Sequence, residues 1–176
     1  MRLNCREIFR PLYRCFTKTR KSPFIHLDDA PTAWPDVLAY ADGASRGNPG
    51  RSGCGALLLD PCTGQVLASE SKFVGNLETN NVAEYHGLIL VLQLAQRHRA
   101  THVRVHMDSQ LIVRQMLGQY RVKAAHLRSL HHQCKKLTAA FPYVSFFHVT
   151  RDDNAAADRL ANEAIDAHAA FISSDK

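Results

Sequence analysis

The sequence predicts an α/β domain: a mixed five-stranded sheet, first an antiparallel meander and then parallel strands, flanked by helices. Three observations carry this. Three short strand-like runs lie close together near the start, separated by turn residues. The hydrophobic period then changes from about 2 to about 3.6 after residue 80. From there to the end, helical and strand patterns alternate, as in a sheet with helices on its faces.

The elements follow in order. Val37–Ala41 is a short apolar run, the first strand. Residues 42–50 hold three glycines and Pro49, and are expected to form a loop. Cys54–Leu59 is the second strand, ended by a turn at Asp60–Gly64. Gln65–Phe73 supplies the third strand. Val82, Tyr85, Leu88, Ile89, Leu92 and Ala95 recur at helical spacing, with Asn81 placed to cap that helix. His102–Met107 alternates as a strand. Leu111–Leu117 reads as a short helix ended by Gly118, and Ala124–Ala140 as a longer one stopped by Pro142. Tyr143–Val149 is rich in aromatic and β-branched residues, hence a strand. Ala155–Ala170 is the last helix, with Leu160, Ala164, Ala167 and Phe171 along one stripe.

Composition sets the outer limits. With 176 residues and 45% apolar content, one globular domain plus a tail is expected. The net charge of +6 is not spread over that domain. Residues 1–27 hold Arg2, Arg6, Arg10, Arg14, Lys18, Arg20 and Lys21 against Glu7 alone. The remaining 15 basic and 15 acidic side chains cancel, so the excess sits entirely in the leader. Residues 22–35 contain Pro23, Pro31 and Pro35 and read as a linker. Residues 1–35 are therefore expected to be a disordered or cleaved basic leader and linker, and residues 36–172 the domain.

The leader is Arg-rich, almost free of acids and interspersed with Leu3, Ile8, Phe9, Leu12, Tyr13 and Phe16. Two readings fit: a mitochondrial transit peptide, or a basic tail that adds non-specific affinity for nucleic acid. An intracellular protein is expected, cytoplasmic or nuclear if the transit reading fails. No apolar run approaches the roughly 20 residues of a membrane span. The five cysteines are odd in number and form no C-x-x-C pair, which argues against a zinc site or disulfide framework and for a reducing compartment.

Four acids carry the chemistry: Asp42 after the first strand, Glu84 early in the first helix, Asp108 after the fourth strand and Asp158 early in the last helix. Each alone has an ordinary structural role. Asp42-Gly43 is a common turn dipeptide. Asn81 and Glu84 have the spacing of a capping box. Asp108 can cap a helix, and Asp158 can sit on a solvated face. Together they occupy strand ends and first helical turns, which can converge at one edge of a mixed sheet. Four carboxylates so placed repel by about 1–4 kcal/mol per pair at 4 Å, depending on the dielectric. Divalent metal relieves that crowding, and oxygen ligands without thiolate favour Mg²⁺ or Mn²⁺. Two such ions balance four carboxylates and can act on both sides of a phosphodiester.

The blocks YADGASRGNPG, TNNVAEYHGL, MDSQLIV and NAAADRLANEA, in that order, resemble the four motif blocks of type-1 ribonuclease H. The likeness runs from about Val37 to Ala169. It implies the ribonuclease H-like fold and an endonuclease that hydrolyses the RNA strand of RNA–DNA hybrids by a two-metal-ion mechanism, leaving 5′-phosphate and 3′-hydroxyl ends. It implies two Mg²⁺ ions, with Mn²⁺ as the alternative, held by Asp42, Glu84, Asp108 and Asp158. It implies substrate contacts at Asn48, Asn80, Asn81 and Gln110, whose neutral amides suit base edges and 2′-hydroxyls in a hybrid's minor groove. A monomer without membrane contact is expected.

The chain departs from that pattern in the loop before the last aspartate, and the usual basic, aromatic protrusion after the third acid is reduced. Many members carry a glycine- and histidine-containing loop before the last aspartate. Here the segment from His148 to Asn154 is short and lacks glycine, which resembles the short-loop branch. His148 is expected to be structural, and Arg151 to give electrostatic help at the scissile phosphate. Residues 109–139 hold Arg114, Arg121, Lys123, Arg128, Lys135 and Lys136 and no acid, a stripe suited to the DNA strand's phosphates. The rival class is a nucleic-acid-binding module with the same fold but no turnover. The presence of all four acids argues against it.

Overall fold

The computed structural model describes residues 36–174, and the predicted leader and linker lie outside them. The chain forms β1 (Asp36–Gly47), β2 (Gly50–Leu59), β3 (Val66–Glu78), α1 (Asn80–Arg97), β4 (His102–Met107), α2 (Gln110–Met116), α3 (Ala125–Thr138), β5 (Tyr143–His148) and α4 (Ala155–Ser174). The five strands make one sheet in the order β3-β2-β1-β4-β5. β1, β2 and β3 pair antiparallel, while β4 and β5 join β1 in parallel. This is the mixed sheet that the sequence predicts, in the ribonuclease H-like arrangement.

Strand side chains alternate between faces, and the two faces here differ. One carries Val37, Ala39 and Ala41 of β1, Cys54, Ala56 and Leu58 of β2, and Val103, Val105 and Met107 of β4, all almost without solvent exposure. α1 covers this face and is buried along nearly its whole length, from Val82 to Ala95, as expected of a helix apolar on every side. The opposite face is covered over β2 by α4, whose Ala157, Ala161 and Ile165 are fully buried. A side chain at Gly53 or Gly55 would strike the α4 backbone at Ala161 or Ala157. These glycines let the last helix lie directly on β2.

Residues 42–50 are not the expected loop. β1 continues to Gly47, β2 starts at Gly50, and only Asn48 and Pro49 separate them, joined by a cis peptide bond. The glycines that read as loop residues serve packing or the turn itself: Gly43 lies under α1, and Gly47 supplies the positive φ of 98° at the hairpin's end. β3 likewise runs five residues past its expected end at Phe73, as far as Glu78. The cap of α1 is Thr79 rather than Asn81, with the threonine hydroxyl accepting from the Val82 N–H at 3.4 Å. Asn81 falls inside the first turn, and Glu84 is too far along the helix to close a capping box.

Candidate active site

Asp42 is positioned by register. β1 and β4 pair in parallel as far as Tyr40 opposite His106. Asp42 and Asp108 each lie two residues further along, so they share a level and a face. Ser109 takes the cap position of α2, so the Asp108 carboxylate is not committed to starting that helix.

Glu84 comes from the other face. It reaches the same place because α1 lies unusually close to β1. A Cβ on Gly43 would strike the backbone of Ala83 and Glu84, and one on Gly87 would strike the Asp42 carbonyl. Two facing glycines thus remove the side-chain layer between helix and strand. Asp42, Glu84 and Asp108 each present a carboxylate oxygen, and the three lie within 4.8 Å of one another. Asp42 is only 4% exposed, and Glu84 is also buried.

The electrostatics of this group are strained. Burial, then the charges of Asp108 and Asp158, push the Asp42 carboxyl up to about 8. Burial, then Asp42 and Asp108, hold Glu84 well above the ordinary carboxylate range. Glu84 Oε1 accepts from Asn80 Nδ2 at 3.4 Å, but Oε2 is buried with no hydrogen-bond partner. A buried acceptor without a donor is costly, and a cation is the partner that would satisfy all three acids at once. The donors in the group are all carboxylate oxygens, which fits a hard divalent ion.

Asp158, in the first turn of α4, lies outside the three-residue group but within its field. Its Oδ1 accepts from Arg151 at 2.8 Å and its Oδ2 from Asn162 at 3.3 Å. The Asp158 side chain is 27% exposed, and that of Arg151 77%. The structure therefore brings Arg151 to the site through a carboxylate. His148 ends β5, with Nε2 3.1 Å from the Asp108 carbonyl, a donation when that nitrogen carries the proton.

The predicted substrate residues flank the acids. Asn48 in the hairpin turn accepts from the Asn80 N–H at 3.3 Å, and Asn80 in turn contacts Glu84. Asn81 is half-buried in the same helical turn. Gln110 is exposed at the start of α2, two residues past Asp108. In the basic stripe, Arg121, Lys123, Arg128, Lys135 and Lys136 are exposed, and the Arg114 guanidinium lies 5.0 Å over the Tyr120 ring.

One residue escaped the sequence reading. Asn154 is 1% exposed and donates from Nδ2 to both the Ala41 carbonyl and Asp108 Oδ1. Its only sequence signal was an asparagine directly before an alanine-rich helix, which reads as an ordinary cap.

Fold and acidic cluster together define a protein of the ribonuclease H-like class with a carboxylate site suited to a divalent ion. The sequence profile of the reverse transcriptase-like family matches residues 40–164. The bifunctional protein Rv2228c of Mycobacterium tuberculosis is 44% identical over 139 residues, 79% of this chain and 38% of that protein. The chain thus spans about two-fifths of that relative's length. Ribonuclease HI of Halobacterium salinarum is 38% identical over 130 residues, 74% of this chain and 64% of that protein. Among solved structures, the N-terminal RNase H domain of Rv2228c superposes with a TM-score of 0.74 at 43% identity, covering 79% of this chain and 99% of that one. LC11-RNase H1 in complex with RNA/DNA hybrid gives 0.71 at 40% identity, covering 76% and 99%. This chain belongs to the ribonuclease H family, of the RNase H1 kind.

Proposed function

We propose that the chain hydrolyses the RNA strand of RNA–DNA hybrids, leaving 5′-phosphate and 3′-hydroxyl ends, with two Mg²⁺ ions (or Mn²⁺) held by Asp42, Glu84, Asp108 and Asp158. The observation that carries this reading is the convergence of three carboxylates within 4.8 Å, one of them with a buried, unpartnered oxygen. Bound divalent ions supply an activated water and charge stabilisation at the leaving 3′ oxygen. The protein's part is to fix the acids in a largely buried site where charge interactions are strong, so that bound cations, rather than the protein alone, favour their ionised forms. The amides of Asn48, Asn80, Asn81 and Gln110 read the minor groove, where the 2′-hydroxyl marks the strand to be cut. The exposed basic side chains between 121 and 136 hold the DNA strand's phosphates. Only residues 149–154 separate β5 from α4, which supports the short-loop branch and Arg151 as the cation near the scissile phosphate. A hybrid-bound relative, LC11-RNase H1, supports the substrate class.

The test is cleavage of matched RNA–DNA, RNA–RNA and DNA–DNA duplexes with Mg²⁺, with Mn²⁺ and with EDTA. Cutting confined to the RNA of the hybrid, abolished by EDTA, is expected. An intact hybrid, or cutting that persists in EDTA, overturns the reading.

A further inference from the structure

We infer that Asn154 is a positioning residue that sets the geometry of the acidic site by fixing Asp108 against β1 and the start of α4. The inference rests on the function proposed above.

Asn154 is fully enclosed, yet it is a polar side chain at the junction of three elements. Nδ2 lies 3.1 Å from the Ala41 carbonyl and 3.0 Å from Asp108 Oδ1. Both partners are acceptors only, so the amide has one workable orientation, with its NH₂ group toward them. The two bonds use both amide protons. One holds β1 at the residue immediately before Asp42. The other holds the Asp108 carboxylate itself.

The backbone of Asn154 works in the same direction. Its N–H donates to the carbonyls of Thr150 and Arg151, closing the turn after β5. Its carbonyl accepts from Ala157 and from Asp158, so it starts the helix that presents the fourth acid. One residue thus ties Asp42, Asp108 and Asp158 to a common frame.

This assignment explains why the position carries an amide rather than an acid. Aspartate has the same outline but no donors when ionised. It would set a fifth carboxylate against two acceptors, beside a group already crowded with charge. The side chain's remaining oxygen, Oδ1, is buried with no partner.

Groups that orient metal ligands without touching the metal characteristically change affinity or activity by about 10- to 100-fold when removed. The experiment compares wild type, Asn154→Ala, Asn154→Ser and Asn154→Asp. Mn²⁺ affinity is read by calorimetry or electron spin resonance, and hybrid affinity by anisotropy without divalent ions. Turnover is read as a function of Mg²⁺ concentration. Asn154→Ala is expected to fold, to bind hybrid within about twofold of wild type, and to weaken Mn²⁺ binding about tenfold or more. Asn154→Asp is expected to lose turnover even at saturating Mg²⁺. Asn154→Ser, which keeps a single donor, is expected to fall between wild type and Asn154→Ala, and it decides the matter if the alanine variant does not fold.

Wild-type Mn²⁺ affinity in either the alanine or the serine variant overturns the inference, as does a loss confined to hybrid binding. The metal-binding arm is independent of substrate. A wild type that binds Mn²⁺ but cuts no hybrid sinks the proposed function and leaves the positioning role to be judged on metal affinity alone.

Discussion

At the scale of single residues, the acidic group behaves as a stored electrostatic load. Asp42, Glu84 and Asp108 converge, and both buried members hold their protons far above the usual carboxylate range. For Asp42 the folded value is about 8 against 3.8 for the free side chain. Between those values the folded state binds more protons than the unfolded one, so stability falls as pH rises. The metal-free protein is therefore expected to melt at progressively lower temperature from about pH 4 to about pH 8, with Mg²⁺ flattening the slope. Calorimetry in EDTA and in Mg²⁺ checks this, and a melting temperature that climbs across that range in EDTA would contradict it. Asp42→Asn removes a group whose charged form is opposed first by burial and then by Asp108 and Asp158, and is expected to stabilise the metal-free fold above about pH 4 by about 1–2 kcal/mol while abolishing turnover. Arg151 makes the complementary case. Its guanidinium already pairs with Asp158, and Arg151→Ala is expected to slow single-turnover cleavage about 10- to 100-fold, roughly 1.4–2.7 kcal/mol of barrier. Arg151→Lys restores only part of that, because it lacks the planar fork. An unchanged rate in Arg151→Ala, together with lost activity in His148→Ala, would transfer the role to His148. The four acids were readable from the sequence because their ordinary roles (turn, cap, solvated face) became implausible jointly. Asn154 was not, because an asparagine before a helix looks the same whether it caps the helix or grips a carboxylate at the end of the neighbouring strand, β4.

At the scale of elements, the site depends on how closely α1 approaches β1. The hydrophobic periods located the helix and the strand well, but not their contact. Gly43 read as part of a loop, since local sequence cannot show that a helix backbone occupies the space where its side chain would be. Gly87, inside α1, gave no signal beyond a helical residue of low propensity. The same blindness hid the length of β1 and moved the cap of α1 from Thr79 to Asn81. The consequence is testable. In Gly87→Ala the added methyl meets the Asp42 carbonyl, a backbone atom that cannot turn aside. Overpacking of this kind costs about 1–3 kcal/mol, and displacing Glu84 by even 1 Å is expected to lower turnover by about 100-fold. Denaturant melts and hybrid cleavage measure the two effects. A variant as stable and as fast as wild type would mean that the helix and strand tolerate separation.

At the scale of the whole molecule, charge and chemistry occupy different parts of the chain. The described residues contain every acid of the site and no helix long and apolar enough to cross a membrane. The excess positive charge lies before residue 28. Deleting residues 1–30 is therefore expected to leave hybrid cleavage at low salt within about twofold of the full chain. It is also expected to flatten the fall of affinity with salt, because fewer phosphates are neutralised. Loss of cleavage on deletion would place part of the active unit in the leader. Imaging of full-length and truncated chains in cells distinguishes the transit-peptide reading from the basic-tail reading. The order of elements along the chain and the mixed character of the sheet, by contrast, were legible almost entirely, because the change of hydrophobic period marks where the meander ends and the alternation of helix and strand begins.

The shared register of Asp42 and Asp108 limits how this gene can vary. The two acids face one another only because equal numbers of residues separate them from the last paired positions, Tyr40 and His106. Successive strand residues point to opposite faces, so inserting or deleting one codon between Val103 and Asp108 would turn that carboxylate onto the face beneath α1. Replacements that preserve size and polarity can accumulate there, and indels cannot. The exposed stretch after Gly118, which ends no strand, is free of that parity constraint. Lineages of this chain are thus expected to differ in length around residues 118–124 and to keep one length from Val103 to Asp108.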